Sequence, residues 1–361
     1  MNIQEATTQY EHWMGQHIEV VAADIAFKHE KMALAPFPFL RATYYRWAKT
    51  WKAACPELAN AATVLAVGDL HLENFGTWRD AEGRLIWGIN DFDEAYPMPW
   101  PADLVRLATS ALLVIDAEHL GVTHSQACDS LLSGYIKSIK AGGRPFVLAD
   151  EHGWLRVLAL HALREERFWN KLNALVPSKE RVPEAAATVL AQRLPEPGIE
   201  HRIVHRTAGL GSLGRPRWVA LADWRGGKIA REAKAVLPAA CYWAADCAGS
   251  PEFYYLPITK AAVRVPDPVL DVLDSWIVRR LAPDCCRIEL SDLPESRDEC
   301  KLLCSMGYET GNVHLGSLGA QSTILQDLEK LPGTWLKDSA ERMRKLVMSD
   351  WKDWKKSQTG A

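Results

Sequence analysis

No C-x-x-C pair occurs among the eight cysteines of this 361-residue chain, which removes four-ligand zinc spacing. Cys285 and Cys286 are adjacent, and Cys300 and Cys304 fall one helical turn apart. A disulfide framework is not expected at this length, so reduced thiols are. No apolar run approaches the ~20 residues that cross a bilayer. An excess of one charge is lacking too: 42 Lys and Arg against 45 Asp and Glu leave −3. That balance gives no global pointer to nucleic acid or an anionic membrane as a partner. Met1-Asn2-Ile3-Gln4-Glu5 has neither the basic stretch nor the apolar core of a signal peptide, and a cytoplasmic location is the expectation. Internal repeats and low-complexity linkers are missing as well. Tryptophan is plentiful, at 15 residues, and a hydrophobic share of 48% supports a full core.

Hydrophobic periodicity divides the chain into a helical part followed by a β-rich part. Ile18, Val21, Ala22, Ile25 and Ala26 predict a helix through 2–32. Ala35-Pro36-Phe37-Pro38-Phe39 breaks it before a second helix over 40–54. The β-branched run at 63–67 predicts a strand. A hairpin is expected from 75–78 to 85–89, turning around 80–83. Helical stripes follow near 102–112, 126–141 and 154–175. Beyond Pro195-Glu196-Pro197-Gly198, strands are expected at 202–206, 217–221, 228–236, 275–280 and 286–290, and the tail from 296 is helical. The expected fold class is therefore α+β. A helical lobe over 1–198 precedes a β-rich lobe over 199–292, and helices over 293–361 pack back on the first lobe.

Two segments carry chemistry. Gly68-Asp69-Leu70-His71-Leu72-Glu73-Asn74 enters the expected hairpin, and Ile89-Asn90-Asp91-Phe92-Asp93-Glu94 leaves it. Both lie at its open end. Phosphoryl transfer needs a carboxylate to accept the proton of an attacking hydroxyl, with an Asn and an Asp to hold Mg²⁺. Asp69 is the candidate base, and Asn74 and Asp91 or Asp93 are candidate metal ligands, with Asp91 favoured because it closely follows the strand. Asp93 and Glu94 either bind a second metal or repel one another on a wet loop. His71 is the more ambiguous residue, mainly a structural one. Arg41 contacts a phosphate or pairs with an acid, and His314 packs inside a helix contact. Asp103 is mainly a structural candidate, with Arg106 its candidate ion partner one turn later.

Between the first strands of the later lobe lies Gly209-Leu210-Gly211-Ser212-Leu213-Gly214, with a strand rather than a helix after it. A Rossmann loop would open a helix. Strand–glycine loop–strand is the arrangement that covers ATP phosphates in kinases, with Gly209, Gly211, Ser212 and Gly214 as the candidate cradle. Lys234, in a β-run with small neighbours, is the candidate phosphate-pairing lysine. Lys228 follows the turn expected at Gly226-Gly227 and is the weaker choice. The glutamate that would orient Lys234 is not identifiable; Glu252 lies at a plausible distance downstream.

Together these residues resemble the protein-kinase-like superfamily, in particular the aminoglycoside and choline phosphotransferases. Their H-G-D-L-H-x-x-N is matched by Gly68–Asn74, with Val67 in place of the leading His, and their I-D-[FW]-[DE] by Ile89–Phe92. More closely the chain resembles a bacterial family known as domain of unknown function 2252. The shared segments are Pro36–Arg41, Gly68–Gly76, Asn90–Glu94 and Asp103–Ser110. The later glycine loop, Arg279-Arg280-Leu281 and Gly311–His314 also fit, which extends the resemblance over roughly the whole chain. The resemblance implies a bilobal kinase-like fold, circularly permuted because the catalytic loop precedes the glycine loop. It implies ATP and Mg as cofactors, with Asp69, Lys234 and Asp103 in the catalytic set. Only about ten residues separate Asp91 from the next helix, so a small-molecule acceptor is expected; the oligomeric state stays open. Two other readings compete: a pseudokinase or nucleotide-binding module, and a binuclear metallophosphoesterase using Asp69-Leu70-His71, Asn90-Asp91 and Gly311-Asn312-Val313-His314. The second lacks the later G-H-x-H histidines.

Overall fold

Fourteen buried positions, from Pro101 to Val114, make the helix Pro101–Asp116 the axis around which the first half of the chain packs. The computed structural model describes residues 1–148, 152–162, 165–176, 181–247, 250–285, 287 and 298–359. Apart from Arg287, the strand expected at 286–290 lies outside the described residues, as does the boundary expected at 292–293. The architecture is mixed α+β, and every strand pairing among the described residues is antiparallel.

Chain order gives β1 (Thr63–Ala66), β2 (Phe75–Arg79), β3 (Leu85–Ile89), β4 (Tyr96–Pro99) and β5 (Phe146–Val147), then β6 (Arg202–His205), β7 (Arg217–Trp224), β8 (Gly227–Ala235), β9 (Asp271–Leu273) and β10 (Trp276–Leu281). β1 pairs with β4, the hairpin β2–β3 adds β5, and the later strands form one sheet in the order β6-β7-β8-β10-β9. The hairpin turns where Asp80 accepts the N–H groups of Glu82 and Arg84. Helix Glu184–Gln192 covers one face of the five-stranded sheet through Ala186, Val189 and Leu190.

The expected helix over 2–32 is two helices, Ile3–Gly15 and Ala22–Leu34. A capping box on Asn2 starts the first. The link between them is used elsewhere: Val21 N–H donates to Gly214 O at 3.0 Å, tying it to the glycine loop. The Pro36 segment does not simply break a helix. It forms a short one, Pro36–Ala42, with proline in the first turn, where its missing N–H costs nothing. At the other end, Trp354 of helix Trp335–Thr359 is buried against Ile3, Met32, Phe39 and Ala42, so the amphipathic tail docks on the body. No helix among the described residues is long and apolar enough to cross a membrane.

Candidate active site

The chain leaves β1 through Gly68, whose φ of 82° favours glycine; a Cβ there would meet Glu94 O at 2.2 Å. Asp103, at the start of the central helix, accepts the N–H groups of Val67 at 2.6 Å and Gly68 at 2.9 Å. His314 Nε2 meets the same carboxylate at 3.0 Å, and Tyr135 Oη meets His314 Nδ1 at 2.8 Å. All three side chains are buried. This network fixes where Asp69 emerges.

Arg106 does not pair with Asp103, whose oxygens are already engaged. It reaches instead to Asp69 Oδ1, from Nε at 3.0 Å and from Nη2. The rings of Tyr44 and Trp47 hold its guanidinium at 4.9 and 5.1 Å. Burial raises the Asp69 carboxyl above its ordinary value, and Arg106 pulls against that rise. Asn74 Nδ2 donates to the carbonyls of Asp69 and Asp91, both at 3.1 Å, which locks the two motifs together.

At the exit of β3, Lys234 Nζ lies 3.4 Å from both oxygens of Asp91 and bonds Asp93 more closely. Arg215 bridges Asp93 at 3.3 Å and Glu94 at 2.6 Å, while Ala240 N–H donates to Glu94 at 2.6 Å. Asp93 and Glu94 therefore sit on no wet loop; both are cation-paired. Burial works to raise the Asp91 carboxyl, but its side chain keeps 40% exposure, and the charges of Lys234, Arg279 and Arg217 hold it below its ordinary value. Asp93 is raised, by burial and then by Asp91 beside it. Burial carries Glu94 up to about 7 against the pull of Arg215.

The glycine loop, between β6 and β7, lines the same cavity. Gly209 and Gly214 have φ of 76° and 95°, and Leu210–Ser212 is a single 3-10 turn. A Cβ on Gly211 would lie 2.9 Å from Arg41 O and 3.1 Å from Asp69 Oδ2, so the loop passes directly over the candidate base. Ser212 Oγ accepts from Arg217 Nη2 at 2.7 Å. The cleft is about 340 Å³, with Asp69, Asn74, Asp91, Gly211, Arg217 and Arg279 in its wall. His71 also lines it; burial and then Arg41, Arg287 and Arg106 hold its imidazole well below the ordinary value, hence neutral. Arg41 pairs with Glu73.

Glu252 is not the partner of Lys234; it accepts from Tyr254 and its N–H donates to Tyr242 on an exposed surface. Sequence reasoning missed Glu232, a fully buried carboxylate ringed by Arg206, Arg217 at 2.7 Å and Arg279 at 2.9 Å. The signal was its place two residues before Lys234, on the same face of the strand. Lys228 pairs with Asp223 across the β7–β8 turn, away from the site. Among the described residues no group of three or more His, Cys, Asp or Glu is placed to share a metal ion.

No curated protein and no solved structure matches the chain. Residues 20–191, which hold the Pro36, Gly68, Asn90 and Asp103 segments but neither the glycine loop nor Lys234, are similar to the family described as an uncharacterized protein conserved in bacteria (DUF2252).

Proposed function

We propose that the chain is an ATP- and Mg²⁺-dependent phosphotransferase acting on a small molecule, kinase-like in its parts and circularly permuted in their order. One observation carries this reading: Lys234 of β8 meets Asp91 across 143 residues of sequence, while the glycine loop before β7 lies over Asp69. The glycine loop joins the first two strands of the five-stranded sheet and Lys234 stands on the third. That is the order of parts that covers and pairs ATP phosphates in kinases.

Asp69, paired with Arg106 and raised by burial, suits acceptance of a proton from an acceptor hydroxyl. Asn74 and Asp91 fit Mg²⁺. The Asn74 nitrogen is committed to two carbonyls, which leaves its oxygen for a cation, and Asp91 is partly open to the cleft. Mg²⁺ bound there would neutralise charge on the transferring phosphoryl group. Asp93, tied to Lys234 and Arg215, serves charge pairing. The short stretch between Asp91 and the helix at Pro101 leaves no room for a long activation segment, which favours a small acceptor. The described cysteines are all free thiols, as a cytoplasmic protein keeps them.

A nucleotide-binding module without transfer is the second reading. Among the described residues only aspartates, and no glutamate, pair with Lys234. The phosphoesterase reading has less support, because His314 is buried on Asp103 and Tyr135 and does not line the cavity. A thermal-shift titration with ATP, with and without Mg²⁺, tests the site in wild type, Lys234→Met and Asp91→Asn. A Mg²⁺-dependent rise lost in both variants is expected, as is phosphate transfer abolished in Asp69→Asn. No ATP response in a folded protein overturns the proposal, and binding without transfer selects the second reading.

A further inference from the structure

The face of the five-stranded sheet that looks toward the cavity is split by chemistry. Row partners in the ladder place Val204, Val219, Leu221, Ala230 and Leu281 in one half. Helix Glu165–Asn173 covers that half with Leu172 buried and Phe168 packed beside it. The other half carries Arg206, Arg217, Glu232, Lys234 and Arg279. An aromatic base needs an apolar slot. Helix Glu165–Asn173 covers most of the apolar half of this face, leaving Leu281 and Phe168 at the cavity wall, and the other half, with Arg206, Arg217 and Arg279 in that wall, is ionic.

Three guanidinium groups surround the single carboxylate of Glu232, which is fully buried. Arg217 is fixed by Glu232 at 2.7 Å and by Ser212 Oγ at 2.7 Å. Arg206 and Arg279 keep 19% and 22% of their side chains exposed, and both line the cavity. Arg279 gives Glu232 only its Nε, and Arg206 only one Nη. Among the described residues their remaining donors have no protein acceptor. Glu232 thus acts as an organiser, holding three forked donors in place while neutralising one charge of three.

We infer that Arg206, Arg217 and Arg279 form a polyphosphate-binding platform, so that the chain recognises its phosphoryl donor by the phosphate chain and not by the base. The inference rests on the phosphotransferase reading for the direction of transfer, but binding to the platform stands apart from it. The platform shares its cavity of about 340 Å³ with Gly209, Gly211 and Ser212 of the glycine loop, so a chain of phosphates held by the arginines would lie against that loop. The ligand class is a linear polyphosphate, free or as the tail of any nucleoside triphosphate.

Calorimetric titration of the full chain in Mg²⁺ with ATP, GTP, sodium tripolyphosphate and adenosine tests this, in wild type and in Arg206→Gln and Arg279→Gln. Tripolyphosphate and GTP are expected to bind within about threefold of ATP, adenosine not at all, and each variant to weaken all three anions about tenfold alike. Binding of adenosine, a preference for ATP over tripolyphosphate beyond about thirtyfold, or variants indistinguishable from wild type would overturn the platform. The two readings fail separately. Arginine-dependent tripolyphosphate binding without transfer from ATP upholds the platform and sinks the transferase; transfer from ATP with no tripolyphosphate binding does the reverse.

Discussion

Lys28 shows at the scale of one side chain how tightly charge is packed behind the site. It sits on helix Ala22–Leu34 with 1% exposure, its Nζ 5.5 Å from the ring centre of Tyr45 and bonded to no carboxylate among the described residues. Burial lowers its ammonium to about 8, with Glu11 pulling the other way and Arg215 adding to the fall. A folded value below the unfolded one means that between about pH 8 and 10.5 the unfolded chain holds a proton the folded chain has released. Stability from this residue therefore rises with pH across that window, and below it the fold carries a desolvated charge. Lys28→Met keeps the length and removes the charge. It is expected to raise stability at pH 7 by on the order of 1 kcal/mol and to abolish the rise above pH 8. Urea midpoints at pH 7 and 10 check this, and a less stable variant at pH 7 would sink it. The same density of charge explains why pairings were hard to anticipate. Arg106 lies three residues from Asp103 on one helix, yet Asp103 is saturated by two backbone donors and His314, and Asp69 takes the arginine.

At the scale of elements, the helices His124–Ala141 and Glu299–His314 carry the site's bracing because glycines let their backbones touch. A Cβ on Gly307 would stand 1.9 Å from Leu131 O, and one on Gly134 would stand 1.8 Å from Cys304 O. Those atoms are backbone and cannot swing aside. Gly307→Ala is expected to cost about 2–3 kcal/mol and to weaken ATP binding through the displaced His314–Asp103 contact. A variant with unchanged melting temperature and unchanged binding would show that the helices can separate without consequence. Such a pair is invisible to periodicity, which reports which face is apolar and not how closely two faces approach. The stretch from β1 to the central helix was readable because its signals are local: a branched run, a glycine, a turn, then proline at a helix start. β4 and β9 escaped notice because both are short; β4 is further stabilised by β1, a partner distant in sequence, and β9 is a three-residue strand turned onto β10. Glu232 needed strand register as well as alternation, since Arg279 faces it only through the pairing of β10 with β8.

Across the whole molecule, Glu94 joins the two parts of the chain. It follows the β2–β3 hairpin, yet it accepts from Arg215 at the end of the glycine loop and from Ala240 N–H after β8. Two effects oppose each other there. Burial disfavours the carboxylate; Arg215 favours it. Burial wins, placing the folded group at about 7 against an ordinary 4.5. The folded protein thus retains a proton that the unfolded chain loses between those values. Stability from Glu94 is fully present below about pH 4.5 and is lost as pH rises through 7. Glu309, buried beneath Gly88 and also raised to about 7 by burial, contributes the same sign. Glu94→Gln should therefore gain on the wild type as pH rises from 5 to 8, by about 1–2 kcal/mol. Denaturant midpoints at four pH values in that range measure the difference, with Glu309→Gln as the second arm and the double variant expected to flatten the profile. If Glu94→Gln instead loses ground with rising pH, the ion pair to Arg215 outweighs burial. The join between the two parts would then be strongest when Glu94 is charged, and alkaline rather than acidic conditions would hold the glycine loop over Asp69.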